Sequence, residues 1–308
     1  MRASKASRLL FALATIPLSL VNGQVPSSAQ PANDPHAVTV TFYAEDELGN
    51  PVSNLEISDL SVLDNGRPPL RIVSLGSAKE MPLRLGILID NNPGRGVYFS
   101  KKQLRYEAGP KWAFDFIDEM LTKPEDKAFI ASYSTIRHRT TFVGRDQLQP
   151  IDLNQFLQTD SDFLGTRDAI RIASKEVFGD DPAGQERRIL IVVGGYDDQA
   201  GRSLSDYPQT IFAAQRAGVK VFLWGCCLWI EPSRRTVGNS ALVSETGGSD
   251  FIPLLQHTRS QIDSMYSLSY VPAGPYQPGA LRKLDLKVTT NEGWRVYAPK
   301  RYLAPSPP

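Results

Sequence analysis

The residue best placed to do chemistry is a carboxylate that directly follows a buried strand. Residues 83–89 are apolar apart from Arg84, Asp90 comes next, and the turn residues Asn91-Asn92-Pro93-Gly94 follow. This order predicts that Asp90 lies at the carboxyl end of the strand, which is where open α/β sheets bind ligands and metals. The alternative is structural, because Asp often accepts hydrogen bonds from backbone N–H groups of its own turn.

The middle of the chain alternates strand patterns with helix patterns. Almost wholly apolar runs such as 188–193 are typical of strands covered on both faces, and the alternation predicts a doubly wound, mostly parallel sheet. The strands are expected at 83–89, 127–133, 188–193 and 219–224, and the helices at 112–121, 166–177 and 211–218. Towards the end, 241–246 is predicted as a short helix, 251–253 as a short strand and 256–265 as a last helix.

Both ends of the chain have β character instead. Short runs rich in β-branched and aromatic residues predict strands at 38–44, 60–63, 70–75, 266–271, 282–288 and 294–297. The simplest architecture is a small antiparallel β module formed by both chain ends, with an α/β domain inserted in it. The expected boundaries are 1–23 signal peptide, 24–36 flexible tail, 37–79 β module, 80–262 α/β domain, 263–303 β module and 304–308 tail.

The N-terminus has the pattern of a secretory signal peptide. Arg2, Lys5 and Arg8 precede an apolar stretch at 9–21 that is too short to span a bilayer comfortably. We therefore expect a secreted or periplasmic protein with no membrane span after cleavage. An uncleaved membrane anchor is the alternative.

The composition excludes several classes of function. The net charge is +1, with 34 basic and 33 acidic residues and no basic block, so we expect no nucleic-acid partner. The three histidines share no ligand spacing, which argues against a histidine-built zinc site. Cys226 and Cys227 are adjacent and are interpreted as the end of a buried strand rather than as a redox motif.

Short motifs in a fixed order cover residues 37–303. They include Asp59-Leu60-Ser61-Val62, Asp64-Asn65-Gly66, Gly165-Thr166-Arg167-Asp168-Ala169 and Tyr266-Ser267-Leu268-Ser269-Tyr270. In these motifs and in their order, the chain resembles von Willebrand factor A (VWFA)-related domain proteins of the secreted bacterial, acidobacterial-type branch. The resemblance implies a Rossmann-like von Willebrand factor A fold in the middle of the chain.

The resemblance also implies a metal-ion-dependent adhesion site, in which three loops offer oxygen ligands to a hard cation. The first loop of the family reads Asp-x-Ser-x-Ser, and this chain matches it at Asp90 but has Asn92 and Gly94 in the serine positions. The threonine of the family matches Thr166, and its last carboxylate falls at Gly194. The implied site is therefore degenerate, and its remaining candidate ligands are Asp90, Asn92, Thr166 and Asp197.

Structural roles compete with ligand roles at these positions. Thr166 begins a helix and is as well suited to an N-cap as to a metal. Asp168 lies in the first helical turn, where the helix dipole alone favours a carboxylate. Asp197 and Asp198 are also typical of a solvated loop.

These observations favour a non-enzymatic, adhesion-type module that binds an unidentified protein without a cofactor. The partner would contact the loops 91–100, 160–168, 194–207 and 225–240, and the residues expected to contact it are Asn91, Asn92, Arg95, Asp168, Tyr196, Asp198 and Trp229. The first alternative is an adhesion module that depends on a weakly held divalent cation such as Mg²⁺, bound by Asp90 and Thr166. The second is a hydrolase with Asp90 as catalytic carboxylate, although Gly-x-Ser-x-Gly and phosphate-loop motifs are absent.

Overall fold

The computed structural model describes the chain in segments that cover most of both predicted parts. These are residues 36–89, 98–99, 102–103, 109–133, 136, 141–148, 165–180, 184–193, 207–225, 242–246, 251–275, 277–290 and 293–304. All of them belong to one unit, Asn33–Pro308.

The described strands and α-helices have the following bounds, in chain order. The strands are β1 (Val38–Glu45), β2 (Leu60–Asp64), β3 (Arg71–Ser77), β4 (Leu83–Ile89), β5 (Tyr98–Phe99), β6 (Lys102–Gln103), β7 (Lys127–Ser132), β8 (Arg187–Val193), β9 (Val219–Gly225), β10 (Leu242–Thr246), β11 (Tyr266–Val271), β12 (Leu281–Val288), β13 (Arg295–Tyr297) and β14 (Arg301–Leu303). The α-helices are α1 (Gly109–Met120), α2 (Thr166–Ile172), α3 (Tyr207–Arg216) and α4 (Phe251–Asp263).

A parallel sheet forms the centre of the inserted domain. Its described strands have the order β10-β9-β8-β4-β7, and β4 pairs in parallel with both β7 and β8. Leucine, isoleucine and valine make up most of β4 and β8, and five of the seven residues of each are consecutive buried residues at the carboxyl end. This pattern confirms the prediction that both faces of the sheet are covered.

The two faces of the sheet pack on different layers. One face joins a core with residues of α1 and α4, including Phe116, Ile117 and Ile262. The other face joins a core with residues of α2 and α3, including Ile170 and Ala214. The domain is therefore an α/β fold with helices on both sides of the sheet.

The two ends of the chain form the β module, which consists of β1–β3 and β11–β14. Its strands form two antiparallel sheets of order β13-β1-β11-β3 and β14-β12-β2. A shared hydrophobic core contains residues from both sheets, among them Phe42, Leu268 and Leu286. Asn65 and Gly66 have φ values of 49° and 78°, and Asp64 and Arg67 bridge across them, so this turn is of the type I′ hairpin kind.

Strands β3 and β11 connect the β module to the α/β domain. β3 leads into the inserted domain and β11 leads out of it, and the two pair in antiparallel fashion from Tyr266↔Ser77 to Val271↔Arg71. Just beyond this pairing, the N–H of Ala78 donates to the carbonyl of Met265 at 2.8 Å. The chain therefore crosses between the two parts as a hydrogen-bonded pair.

A buried carboxylate fixes the start of β4. Asp126 is 1% exposed and accepts hydrogen bonds from the backbone N–H groups of Leu83, Thr122 and Lys123 at 2.8, 3.0 and 2.9 Å. These bonds satisfy donors at the end of the α1 segment and at the first residue of β4. They align the amino ends of β4 and β7, which pair from Arg84↔Lys127 onward.

Two elements near the end of the chain differ from the sequence prediction. Residues Leu242–Thr246 form a strand that pairs in parallel with β9, not a helix, because pairing with the sheet overrides the weak local helix pattern. Phe251 to Pro253 begin α4 and do not form a strand. A proline is tolerated in the first helical turn, where its missing N–H has no intrahelical partner. Pro110 occupies a similar position at the start of α1.

Gly86 of β4 offers a test of this packing. A Cβ atom at Gly86 would lie 2.6 Å from Cε1 of Phe129 and 3.0 Å from Cδ1 of Leu190. The Phe129 ring cannot easily move, because it packs edge-on against Phe142 and Phe178. We expect Gly86→Ala to lower the free energy of unfolding by about 1–3 kcal/mol in urea denaturation.

Gly76→Ala is the matched control for this prediction, because a Cβ atom there would meet nothing within 4 Å. It should leave stability unchanged or slightly raised. Adding Phe129→Leu to Gly86→Ala should recover part of the loss, and equal stabilities of the Gly86→Ala and Gly76→Ala variants would contradict the close packing of β4 on β7.

Candidate functional site

The carboxyl ends of the parallel strands lie level with one another. Ile89 pairs with both Ser132 and Val193, and Val193 pairs in turn with Trp224. The last pair of β9 and β10 is Gly225 with Thr246. We call this row of strand ends the carboxyl edge. Three of the four predicted partner loops follow β4, β8 and β9 in sequence and therefore start from this row.

Most of the predicted site residues lie outside the described residues. These are Asp90, Asn91, Asn92, Arg95, Tyr196, Asp197, Asp198 and Trp229. Their neighbours in sequence, Ile89 and Val193, are the last residues of β4 and β8. Thr166 and Asp168 are described, and both belong to the first turn of α2.

Thr166 is the first residue of α2 and not its N-cap. The N-cap position belongs to Gly165, whose φ and ψ are −73° and 160° and which offers no side-chain oxygen to the helix. The predicted N-cap role of Thr166 is therefore wrong, since the helix starts one residue earlier than such a cap requires. The Thr166 residue is 8% exposed. Its role as a ligand stays a prediction.

Asp168 is buried beside the positive end of the helix dipole. The residue is 2% exposed, and its Oδ1 lies 3.9 Å from Nε of Arg171, one turn further along the helix. A carboxylate in the first turn is stabilised by the free N–H groups of the helix end. This environment suits a residue that supports the first turn of α2, and contact with a partner at Asp168 stays a prediction.

Hydrogen bonds from neighbouring elements hold the start of α2 and the end of the π-helical stretch Ala173–Phe178 that follows it. Thr210 of α3 is buried, and its hydroxyl donates to the carbonyl of Arg167 at 3.3 Å. At the far end, Arg188 of β8 donates to the carbonyls of Phe178 and Gly179 at 3.3 and 3.1 Å. A cation is favourable at a helix C-terminus, where carbonyls lack intrahelical partners. The helical segment that begins with α2 is therefore held at its start by α3 and at its end by the central sheet.

Two of the four candidate metal ligands are neutral groups. Within the described segments, no group of three or more His, Cys, Asp or Glu residues is arranged to hold a metal. Thr166 would contribute a neutral hydroxyl from the first turn of α2, and Asn92 a neutral amide oxygen, while Gly94 and Gly194 contribute no side chain. Mg²⁺ and Ca²⁺ are held mainly by carboxylates and waters. The two carboxylates of the set, Asp90 and Asp197, lie outside the described residues, so binding of a divalent cation there stays a prediction.

Sequence reasoning missed a second polar cluster, which lies between the β module and the sheet. Lys220 is the second residue of β9, is 5% exposed, and contacts residues of β1 and β13. The sequence contains one sign of it, which is a lysine inside the otherwise apolar run Val219–Trp224. A buried lysine without a full ionic partner is unusual in a protein interior.

No known family profile matches the chain, and no curated protein matches it. Among solved structures, the chain is similar to the VWA domain of SpRpn10 (19% identity, TM-score 0.36, covering 59% of this chain and 97% of that one). It is also similar to manganese-loaded Plasmodium vivax TRAP protein (11% identity, TM-score 0.33, 81% and 100% covered) and to von Willebrand factor type A from Catenulispora acidiphila (10% identity, TM-score 0.36, 88% and 75% covered). All three TM-scores are low, between 0.33 and 0.36, so the fold assignment rests on the chain's own strand order and register.

The buried position of Asp168 yields a testable expectation. Asp168→Ala should lower the free energy of unfolding by about 1–2 kcal/mol, because the helix end loses a favourable charge and a hydrogen-bond acceptor. Asp180→Ala is the matched control, since Asp180 is half exposed and pairs with Arg216 at the surface at 2.8 Å. Its loss should stay below about 1 kcal/mol. Urea denaturation compares the two, and an Asp168→Ala variant as stable as wild type would contradict a supporting role.

Proposed function

We propose that this chain is an exported, non-enzymatic module of the von Willebrand factor A type that binds a protein partner through loops at the carboxyl edge. The observation that carries the proposal is the alignment of the ends of β7, β4, β8 and β9 in one row. Loops that start from a common row on a rigid sheet can present one continuous surface to a partner. The inserted domain supplies that row, and the β module is joined to this domain through the paired strands β3 and β11.

The motif order in the sequence supports the family assignment within this proposal. The motif Gly165–Ala169 forms the start of α2, and the motif Asp64-Asn65-Gly66 forms a type I′ turn of the β module. Both motifs thus occupy defined structural positions, one at the start of a helix and one in a turn.

The adhesion site is proposed to act without a metal. Asn92, Gly94 and Gly194 stand where the family has two serines and an aspartate, so the charge needed to hold a hard cation is reduced. Asp90 would then order its own turn by accepting backbone hydrogen bonds.

Export is proposed from the N-terminal pattern alone, which lies outside the described residues. Among the helices that are described, none combines the length and the apolar character that crossing a bilayer requires.

A capture experiment tests the partner surface. The mature protein, immobilised and exposed to the native secreted fraction of its source, should retain a partner that the Asn91→Ala/Asn92→Ala/Arg95→Ala variant loses at least tenfold. Glu125→Ala/Lys127→Ala is the control, because both residues are exposed at the amino end of β7 and far along the sheet from the carboxyl edge. If the partner still binds the triple-alanine variant but no longer binds the control variant, the binding surface lies elsewhere.

A titration with divalent cations separates this proposal from metal-dependent adhesion. A ligand that binds only the folded state at a Kd of about 1 mM would stabilise it by about 1.4 kcal/mol at about 10 mM. For a domain of this size that corresponds to a rise in Tm of roughly 3–6 °C. We expect Mg²⁺, Mn²⁺ and Ca²⁺ to raise Tm by less than about 1 °C relative to a chelator.

The Asp90→Asn variant controls this titration. It should respond to the ions as the wild type does. Calorimetric heat in the wild type together with a Tm increase that Asp90→Asn abolishes would establish a metal site and overturn the metal-free proposal.

A further inference from the structure

A cluster of polar side chains lies where the β module meets the α4 side of the parallel sheet. We call it the interface cluster. It consists of Glu45 of β1, Lys220 of β9, Tyr297 of β13, and His257 and Gln261 of α4. Three of these residues are nearly inaccessible, with exposures of 7% for Glu45, 5% for Lys220 and 1% for Gln261.

Lys220 reaches from the sheet into the β module. Its Nζ donates to the backbone carbonyl of Tyr297 at 2.7 Å and lies 4.2 Å from the centre of the Tyr43 ring. The Tyr43 ring stacks on Tyr297 at 4.6 Å, and on the other side it lies 6.3 Å from Phe222, two residues beyond Lys220 on β9. The amine therefore sits in a contact that spans both parts of the chain.

Glu45 is the carboxylate whose charge acts on this amine. Its Oε1 accepts a hydrogen bond from Nε2 of Gln261 and lies 3.9 Å from Nε2 of His257. The Nε2 atoms of Gln261 and His257 are 3.0 Å apart. Lys220 and Glu45 do not form a direct ion pair within 4.0 Å among the described contacts, so the carboxylate compensates a charge on the amine only in part.

We propose that the interface cluster is a proton-linked latch, which holds the β module tightly on the sheet while the Lys220 amine is neutral and loosens when the amine gains a proton. A neutral amine can donate to the carbonyl of Tyr297 and rest against the Tyr43 ring without a desolvated charge. A charged amine at the same place would have three partners: a carbonyl, a ring face and a distant carboxylate. These partners stabilise the charge less than water does, so the protonated amine destabilises the contact.

The titration of the cluster has a defined direction. Burial lowers the pKa of Lys220 to about 7, and the charge of Glu45 offsets part of this decrease. Burial and the charge of Glu45 together raise the pKa of Tyr297 to about 12, so this hydroxyl stays protonated in the same range. Tyr43 and Glu45 of β1 and Tyr297 of β13 act on the amine itself. Arg295 of β13 acts on Tyr297, and His257 and Gln261 of α4 lie against Glu45.

The pH window follows from these values. Between pH 7 and about 10 the folded chain carries a neutral Lys220 while the unfolded chain carries a charged one, so unfolding takes up a proton. Stability therefore rises with pH across this window. Below pH 7, Lys220 is charged in both the folded and the unfolded chain. The desolvation of this charge then destabilises the folded contact to its full extent.

Thermal or urea unfolding between pH 7 and 9.5 tests the linkage. The slope of the unfolding free energy against pH reports how many protons are taken up on unfolding. The wild type should take up close to one proton more than Lys220→Met. Per pH unit, the unfolding constant of the wild type should therefore fall about tenfold more than that of the variant. Lys127→Met is the matched control, because Lys127 is an exposed lysine on another strand of the same sheet. It should keep the wild-type slope, and equal slopes for wild type and Lys220→Met would overturn the proposal.

Hydrogen exchange locates the effect and does not depend on a single variant. After correction for intrinsic exchange, acidification from pH 8 to 6 should speed exchange at the amides of 43–45 and 295–297 more than at 60–64 in β2. Glu45→Gln removes the charge that favours the protonated amine, so the midpoint of this change should move to lower pH. Uniform acceleration in both regions, or an unmoved midpoint, would refute a local latch.

Discussion

The antiparallel pairing of β3 with β11 is the constraint on which the rest of the fold depends. It brings the two points where the chain crosses between the β module and the α/β domain side by side, from Ser77 and Tyr266 onward. The inserted domain can then fold as a continuous α/β unit between two fixed ends. The same pairing allows residues from the two chain ends to share one core, although they are more than 200 positions apart in sequence.

Polar groups fix the joins between elements, and apolar groups fill the layers. Asp126 sets the start of β4. Arg188 caps the π-helical stretch that follows α2 and also donates to the carbonyl of Ala217 at 3.1 Å. In the β module, Arg282 donates to the buried carboxylate of Asp64 at 2.8 Å, and the hydroxyl of Tyr302 donates to it at 2.7 Å. Each carboxylate or guanidinium has several partners, which is the condition under which burying a charge is tolerated.

Sequence patterns predicted the layers well and the joins poorly. The apolar run at 83–89 and the turn at Asn65-Gly66 are determined by local chemistry, so both were predictable. Leu242–Thr246 was not, because a five-residue segment becomes a strand only through its pairing with β9. The start of α2 was predicted at Thr166, yet its cap was misassigned, since a glycine N-cap leaves no side-chain sign in the sequence. Lys220 was overlooked because its environment is built by β1, β13 and α4, which lie far away in the chain.

Strand β9 connects the two places where this protein is proposed to act. Its second residue, Lys220, belongs to the interface cluster, and its last residue, Gly225, belongs to the carboxyl edge. Between them, Val221 and Phe222 are fully buried in the cores on opposite faces of the sheet. A close-packed strand of this kind is stiff and deforms little along its length. Protonation at Lys220 should therefore act on the seating of the β module, and the carboxyl edge should keep its row of strand ends while that contact loosens.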